Sequence, residues 1–242
     1  MDGRDLLDRA RYGARIRLDG RRAERLLEVA PHPSLVTLGD TRYGGHVIPD
    51  GVLEPDSVCY LVGVGEDITF DLSLIARYGV TVHAFDPVPR AATFAARAAA
   101  HEPRFVFRPY AVWARDEELT FHEPFRPGYV SQSAVDLHGR PPSFTAQGRS
   151  LASLMQELGH DRLDLLKVSA EGAEFAILDD LVAGDVRPAV VCAEFSQPSD
   201  PERVAQLARR FSAAGYRTAS RTIQPGGWKL TWMAQRPAPA EA

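Results

Sequence analysis

An apolar run passes directly into a glycine-containing acidic turn at Leu61-Val62-Gly63-Val64-Gly65-Glu66-Asp67, and this junction constrains the fold more than any other segment. Residues 57–62 are predicted to form a short buried strand, because the run is short and apolar. The two glycines let the backbone turn and let a ligand approach closely, and Asp67 stands where it can cap a following helix. The junction therefore predicts a ligand-binding turn between a buried strand and a helix.

The charge of this turn separates two classes of ligand. Gly63 and Gly65 match part of a dinucleotide fingerprint, but the third glycine position holds Ile68. A pyrophosphate binds helix N-terminal amides, and Glu66 and Asp67 would place two carboxylates beside it. S-adenosylmethionine carries an ammonium and a sulfonium, which the same carboxylates attract. We therefore favour S-adenosylmethionine as the cofactor and keep NAD as the alternative.

The size and charge of the chain narrow the class of protein. Its 242 residues are enough for one substantial core and too few for two comfortable domains. A net charge of -4 argues against nucleic acid as the main partner, because nucleic-acid-binding domains usually carry a basic excess. The sequence shows no signal-peptide h-region, and no apolar stretch approaches membrane-spanning length. We therefore expect a cytoplasmic protein without a membrane partner.

Strand and helix signals alternate from about residue 55 to about residue 235, which predicts an α/β fold with a mostly parallel sheet. The predicted parallel strands cover residues 57–62, 80–85, 105–112, 163–168 and 189–195. The turn Pro225-Gly226-Gly227 separates two further strands and predicts a C-terminal antiparallel hairpin. Cys59 and Cys192 each lie in an apolar run, so both are expected to be buried and unpaired.

Two segments fall outside this alternation. Residues 1–50 are predicted to form an N-terminal extension or lid of short helices and an irregular stretch, and residues 51–236 form the Rossmann-like domain. Residues 123–149 are rich in proline and glycine and form an insertion in that domain. A loop of this length inside a compact domain is more often functional than idle, so we expect it to close over an acceptor.

Four short motifs occur in order along the chain and resemble the FkbM family of S-adenosylmethionine-dependent methyltransferases over roughly residues 40–200. They are Tyr43-Gly44-Gly45, Gly63-Val64-Gly65-Glu66-Asp67 with Phe70-Asp71, His83-Ala84-Phe85-Asp86-Pro87, and Leu166-Lys167-Val168-Ser169-Ala170-Glu171-Gly172-Ala173-Glu174. The resemblance implies a Rossmann-like class I methyltransferase sheet and O-methylation of sugars, polyketides and related metabolites. One position departs from the family pattern: Ser169 stands where an aspartate is usual.

The predicted donor site combines residues from the turn with residues from later strands. Asp86 ends the second strand, 21 positions after Gly65 (86 minus 65), where an acid accepts hydrogen bonds from ribose hydroxyls; its alternative role is to cap the helix near Pro89. At least one of Glu66 and Asp67 is expected to contact the donor, the alternative being a helix cap. By resemblance, Ala111 and Val112 lie against the adenine. The full set is Tyr43, Gly63, Val64, Gly65, Glu66, Asp67, Asp86, Pro87, Ala111, Val112 and Ser133.

The predicted catalytic residues are Glu171, Glu194 and His138. Glu171 follows the fourth parallel strand, whereas Glu174 is expected to cap the next helix or face solvent. Glu194 lies in an apolar run, and a carboxylate in such a run needs a partner. An acceptor hydroxyl must lose its proton during O-methylation, so a base or a metal helps. His138 in the insertion is the candidate base, and a divalent cation such as Mg²⁺ on the two glutamates stays open.

The sequence thus predicts an S-adenosylmethionine-dependent O-methyltransferase that acts on a hydroxyl of a polar small molecule. The acceptor is expected to be polar because the insertion offers polar side chains, among them Arg126, Ser131, Gln132, Ser133 and Arg140. The alternatives are an NAD(P)-dependent oxidoreductase and a non-catalytic binding protein of the methyltransferase fold, to which Ser169 gives weight. A homodimer formed through the N-terminal helices is also left open.

Overall fold

The structure, a computed structural model, describes residues 3–124, 130, 132–136, 139–196 and 199–235, with side chains from residue 12 onward. In chain order, the elements are α1 (Gly3–Leu26), β1 (Leu35–Leu38), β2 (His46–Pro49), β3 (Val58–Val62), α2 (Thr69–Tyr78), β4 (Thr81–Phe85), α3 (Pro89–Ala98), β5 (Phe105–Arg108), β6 (Ala111–Val112), β7 (Glu117–His122), β8 (Pro142–Arg149), α4 (Leu151–Leu158), β9 (Leu165–Val168), α5 (Glu174–Ala183), β10 (Val190–Ser196), α6 (Pro201–Ala213), β11 (Tyr216–Ile223) and β12 (Gly227–Ala234).

The central sheet has seven strands in the order β11-β12-β10-β9-β3-β4-β5. Strands β10, β9, β3, β4 and β5 pair in parallel, whereas β12 runs antiparallel to both β10 and β11. The inner strands are apolar along almost their whole length, because helices or the β1–β2 hairpin cover both faces of the sheet. The predicted α/β fold, with a mostly parallel sheet and a C-terminal antiparallel hairpin, is confirmed.

Each face of the sheet carries its own part of the core. One face packs under α1, α4, α5 and α6 around large side chains such as Phe211 and Trp232, whose rings stack with centroids 4.3 Å apart. The other packs under α2, α3 and the β1–β2 hairpin around Phe70 and Leu74. Both free cysteines lie in this second cluster and are fully buried, as predicted.

The N-terminal region differs from the predicted short helices. It forms the single 24-residue helix α1 and the antiparallel pair β1–β2. Helix α1 buries Ile16 and Ala23, Leu27 is buried directly after it, and Arg22 of α1 pairs with Glu202 of α6 at 2.6 Å. A hairpin forms because alternate residues of the two short strands are buried on the sheet and the turn between them contains three glycines. None of the described α1 side chains lines the cavity described below.

The insertion is partly a strand. Residues Pro142–Arg149 form β8, which pairs antiparallel with β7 and parallel with β6 in a separate three-stranded sheet. The rings of Phe121 and Phe144 stack across this sheet with centroids 4.9 Å apart. Alternate side chains of β8 are less exposed, as expected for a strand with one covered face. No helix in the described part of the chain is both long and apolar enough to cross a membrane.

Candidate functional site

A cavity of about 360 Å³ opens at the carboxyl edge of the central sheet, within the size range of small-molecule sites. It brings together ten of the predicted donor residues and two of the predicted catalytic residues. These are Tyr43, Gly63, Val64, Gly65, Glu66, Asp67, Asp86, Pro87, Ala111 and Val112, with Glu171 and Glu194. Ser133 is not part of the wall, although its neighbours Gln132 and Ala134 are; its hydroxyl donates to the Glu171 carbonyl at 2.5 Å.

Asp86 organises the glycine turn. One carboxylate oxygen, Oδ2, accepts hydrogen bonds from the backbone N–H groups of Val64 and Gly65, both at 2.9 Å. The other oxygen accepts from the N–H of Val88, also at 2.9 Å, just before α3. Burial raises the pKa of Asp86, and the three N–H donors oppose that rise. Asp86 lines the cavity and its carboxylate also holds the backbone of the turn and the start of α3. The two roles considered for Asp86, facing a ligand and capping the helix near Pro89, are therefore compatible.

Gly63 allows the ends of β3 and β9 to touch. Its φ is 86°, and a Cβ built on it would stand 1.9 Å from the Ser169 carbonyl oxygen. Only glycine tolerates both the left-handed backbone and this approach. The backbones at the ends of β3 and β9 therefore stay in contact where Gly63 and Ser169 line the cavity.

The two acids of the turn have different surroundings. Glu66 forms a bidentate pair with Arg90, with contacts of 2.6 and 2.7 Å, and both side chains are half exposed. Asp67 Oδ1 accepts from the N–H of Thr69, the first residue of α2, although the N-cap position itself is Ile68. Asp67 Oδ2 accepts from the Gly44 N–H at 2.9 Å. Asp67 thereby ties the turn to the segment 40–45.

The other end of the cavity is polar. The Ser169 hydroxyl donates to Glu194 Oε2 at 3.3 Å, and Lys229 Nζ lies 3.8 Å from the same oxygen. Strands β9 and β10 are neighbours in register, which places Ser169 and Glu194 side by side. The carboxylate in the apolar run therefore has the partner that its environment requires.

Two functional candidates were missed from the sequence, namely Lys167 and Lys229. They are the only lysines of the chain, whose other 26 basic residues are all arginines (28 minus 2), and both occur in apolar strands. Lys229 Nζ donates to the carbonyls of Thr41 and Gly45, at 3.1 and 2.9 Å, and also to that of Tyr43. Burial lowers the pKa of Lys229, and the Glu194 charge opposes this. The sequence signal that could have identified them is that the only two lysines of the chain both lie inside apolar runs.

Glu174 is not at the surface. It is 3% exposed at the start of α5, where burial raises its pKa well above the usual range. Its Oε1 has no hydrogen-bond partner among the described residues. The expectation that Glu174 caps the next helix or faces solvent is wrong, because the N-cap of α5 is Ala173 and the Glu174 side chain is buried.

The predictions of a metal site and of a catalytic base have different outcomes. Within the described ranges, no group of three or more histidine, cysteine, aspartate or glutamate side chains could hold a metal ion. The side chains in these ranges therefore do not make a divalent-cation site by themselves. His138, like Arg126 and Ser131, lies outside the described residues, so its role as a base stays a prediction.

Comparison with known proteins adds three findings. The family model described as "Methyltransferase FkbM domain" matches residues 62–218. The probable methyltransferase-like protein 24 of Rattus norvegicus is 31% identical over 128 residues, which is 52% of this chain and 29% of that protein. The Homo sapiens counterpart is 30% identical over 128 residues, or 52% of this chain and 28% of that protein. The chain thus spans less than a third of the length of the curated relatives it matches.

Among solved structures, the Aeropyrum pernix fibrillarin with natively bound S-adenosyl-L-methionine has a TM-score of 0.46 at 10% identity, covering 77% of this chain and 70% of that one. The Methanococcus jannaschii fibrillarin pre-rRNA processing protein has a TM-score of 0.45 at 10% identity, covering 75% and 67%.

Proposed function

This chain belongs to the FkbM methyltransferase family, and from that premise we propose that it transfers a methyl group from S-adenosylmethionine to a hydroxyl of a polar small molecule. One observation carries the proposal: the glycine turn and the Ser169–Glu194 pair line the same cavity. The cavity offers a place for a donor and, next to it, a carboxylate that can accept a proton or a hydrogen bond from an acceptor.

The lining residues support a direction for the donor. Asp86 follows β4, and Ala111 and Val112 form β6, which follows β5, the strand beyond β4; these cavity residues suit the ribose and the adenine. Asp67 and Glu171 line the cavity from the turn and from the end of β9. Their carboxylates favour the positive sulfonium and ammonium groups through Coulomb attraction, which is strong where water is partly excluded.

The proposed chemistry is an in-line displacement. When bound, S-adenosylmethionine supplies an electrophilic methyl carbon; the acceptor oxygen bonds to it, the carbon–sulfur bond breaks, and S-adenosylhomocysteine leaves. Glu194 accepts the hydroxyl proton or orients the hydroxyl by a hydrogen bond. Ser169 and Lys229 fix one oxygen of Glu194, which limits the rotamers of the carboxylate. Holding both reactants in line supplies much of the acceleration.

The polar part of the cavity lining supports a polar acceptor. Polar residues from three separate segments line the cavity, namely Gln132, Ser169, Glu171 and Ser196. A hydroxylated acceptor such as a sugar or a polyketide-type metabolite can exchange hydrogen bonds with these groups, whereas a purely apolar acceptor would leave them unpaired.

A methylation screen over hydroxylated metabolites with isotopically labelled donor tests the proposal. With an active acceptor found, we expect Glu194→Gln to lower kcat about 100-fold, the usual contribution of a general base, with little change in S-adenosylhomocysteine affinity. Glu202→Gln is the matched control, because Glu202 pairs with Arg22 at the surface of α6. Full activity of Glu194→Gln would move the base elsewhere.

Calorimetry with S-adenosylhomocysteine and with NAD, carried out beside the screen, separates the alternatives. A protein that binds S-adenosylhomocysteine but methylates no acceptor in the screen supports a non-catalytic binding protein. A protein that binds NAD and not S-adenosylhomocysteine supports the oxidoreductase.

A further inference from the structure

Lys167 is a buried ammonium that faces the cavity. It lies in β9, is 3% exposed, and belongs to the cavity wall. Its Nζ lies 5.7 Å from the centroid of the Phe70 ring, and a Cβ built on Gly44 would stand 3.5 Å from it. Among the residues that the structure describes, Nζ has no hydrogen bond and no ion pair within 4 Å. The charge therefore lacks a close partner on the protein side.

Lys229 differs from Lys167 because its ammonium has close partners. Lys229 donates to three carbonyl oxygens and stands 3.8 Å from the Glu194 carboxylate, so its charge is compensated. Burying a charged group without a hydrogen-bonded partner is costly. The nearby acid Asp71 is also buried, and burial raises its pKa to about 6, although the charge of Lys167 opposes this rise. Asp71 and Lys167 attract each other only over a distance longer than the 4 Å of an ion pair. The ammonium of Lys167 is thus set up for an anion that the chain does not provide.

The position of Lys167 identifies which anion fits. In the sheet order, β9 and β4 lie on opposite sides of β3. A donor whose ribose lies at Asp86 on β4 extends across the glycine turn towards β9. Its amino-acid end then reaches Lys167. The α-carboxylate is the only anionic group of S-adenosylmethionine.

A second charge at the same place supports this assignment. The Cβ position of Gly44 is 3.2 Å from Asp67 Oδ2 and 3.5 Å from Lys167 Nζ, so opposite charges flank one point. The amino-acid end of the donor carries an ammonium and a carboxylate on the same carbon. A carboxylate beside an ammonium matches that pair. Glycine at position 44 keeps this space free of a side chain.

We propose that Lys167 binds the α-carboxylate of the methyl donor, with Asp67 facing the adjacent amino group. This inference rests on the proposed function, because it assumes that the cavity holds S-adenosylmethionine. It makes Lys167 a donor-binding residue and predicts that the site distinguishes ligands by their carboxylate.

A two-by-two binding experiment tests it. The ligands are S-adenosylhomocysteine and its decarboxylated analogue, which keeps the amine and lacks the carboxylate. The proteins are the unmodified chain and Lys167→Met, which retains most of the apolar stem. Loss of a charged hydrogen bond corresponds to a change of about 10- to 100-fold in affinity. We expect that loss for S-adenosylhomocysteine on Lys167→Met, a similar loss for the analogue on the unmodified chain, and no further loss when both changes are combined.

Any other result contradicts either the carboxylate assignment or the proposed function. If Lys167→Met weakens both ligands equally, or neither, the carboxylate assignment is wrong. An unchanged donor affinity with a raised KM for the acceptor also overturns it, because Lys167 then serves the acceptor. If the unmodified chain binds neither ligand, the proposed function fails as well. The two ligands are compared on the unmodified chain too, so the test does not depend on the variant folding.

Discussion

At the scale of single residues, Asp86 serves the turn and the ligand with one carboxylate. We predict that Asp86→Ala weakens S-adenosylhomocysteine binding at least about 10-fold, because hydrogen bonds to a charged acceptor are lost. The unfolding free energy should fall by about 1–3 kcal/mol, since the buried N–H groups of Val64, Gly65 and Val88 lose their acceptor. Calorimetry and urea titration measure the two effects.

Asp164→Ala is the matched control for this change. Asp164 accepts the Val58 N–H at 2.7 Å, at the amino end of β3 and away from the cavity. It should lower stability without changing ligand affinity. If Asp86→Ala binds S-adenosylhomocysteine as tightly as the unmodified chain, the ribose assignment is wrong.

At the scale of elements, the contact between β3 and β9 depends on Gly63. Gly63→Ala should destabilise the protein and abolish donor binding, because the new Cβ would meet the Ser169 carbonyl at 1.9 Å and the strand ends must separate. Gly159→Ala is the control, since Gly159 also has a positive φ, of 71°, but open space around it. That change should cost only the left-handed backbone strain, about 1–2 kcal/mol. Equal destabilisation by both variants, measured by urea titration, would show that the contact is unimportant.

A second prediction at this scale concerns the segment 40–45. Lys229 holds three of its carbonyls, so Lys229→Met should loosen it. Arg42 has an exposed side chain in this segment and offers a trypsin site. We expect limited trypsin digestion to cleave after Arg42 at least about 10-fold faster in Lys229→Met, because cleavage follows local opening. Cleavage at an unchanged rate would mean that other contacts hold the segment.

At the scale of the whole molecule, the partly buried His83 links stability to pH. Burial lowers the pKa of His83 to about 4, and its neighbour His160 and Arg108 add to this. The unfolded chain therefore binds a proton at His83 below about pH 6.5 that the folded chain does not bind until about pH 4. His83 thus lowers stability as pH falls through that window. Relative to the unmodified chain, His83→Phe should lose less unfolding free energy between pH 7 and pH 4.5, measured by urea titration at each pH. An identical pH dependence would contradict this.

How much of this could be predicted follows from what each residue contacts. The apolar runs predict β3, β4, β9 and β10, because strands buried on both faces of a parallel sheet are almost continuously hydrophobic. The predicted strand over 105–112 divides into β5 and β6, since Pro109 between them has no N–H to donate. The partners of Lys229 lie 184 and 188 positions away, so no local pattern indicates them. The glycine turn can be recognised in the sequence, whereas the positions of the charged side chains around it depend on tertiary contacts.

The placement of the two lysines has a consequence for covalent chemistry. Because the remaining basic side chains are arginines, every side-chain amine of this protein lies beside the donor cavity. Acylating reagents and enzymes that attach groups to lysine find no such amine on the outer surface. Acylation of the folded chain at Lys167, which lines the cavity, then reports access to it. The extent of labelling, read by mass spectrometry, measures how far a bound molecule shields Lys167.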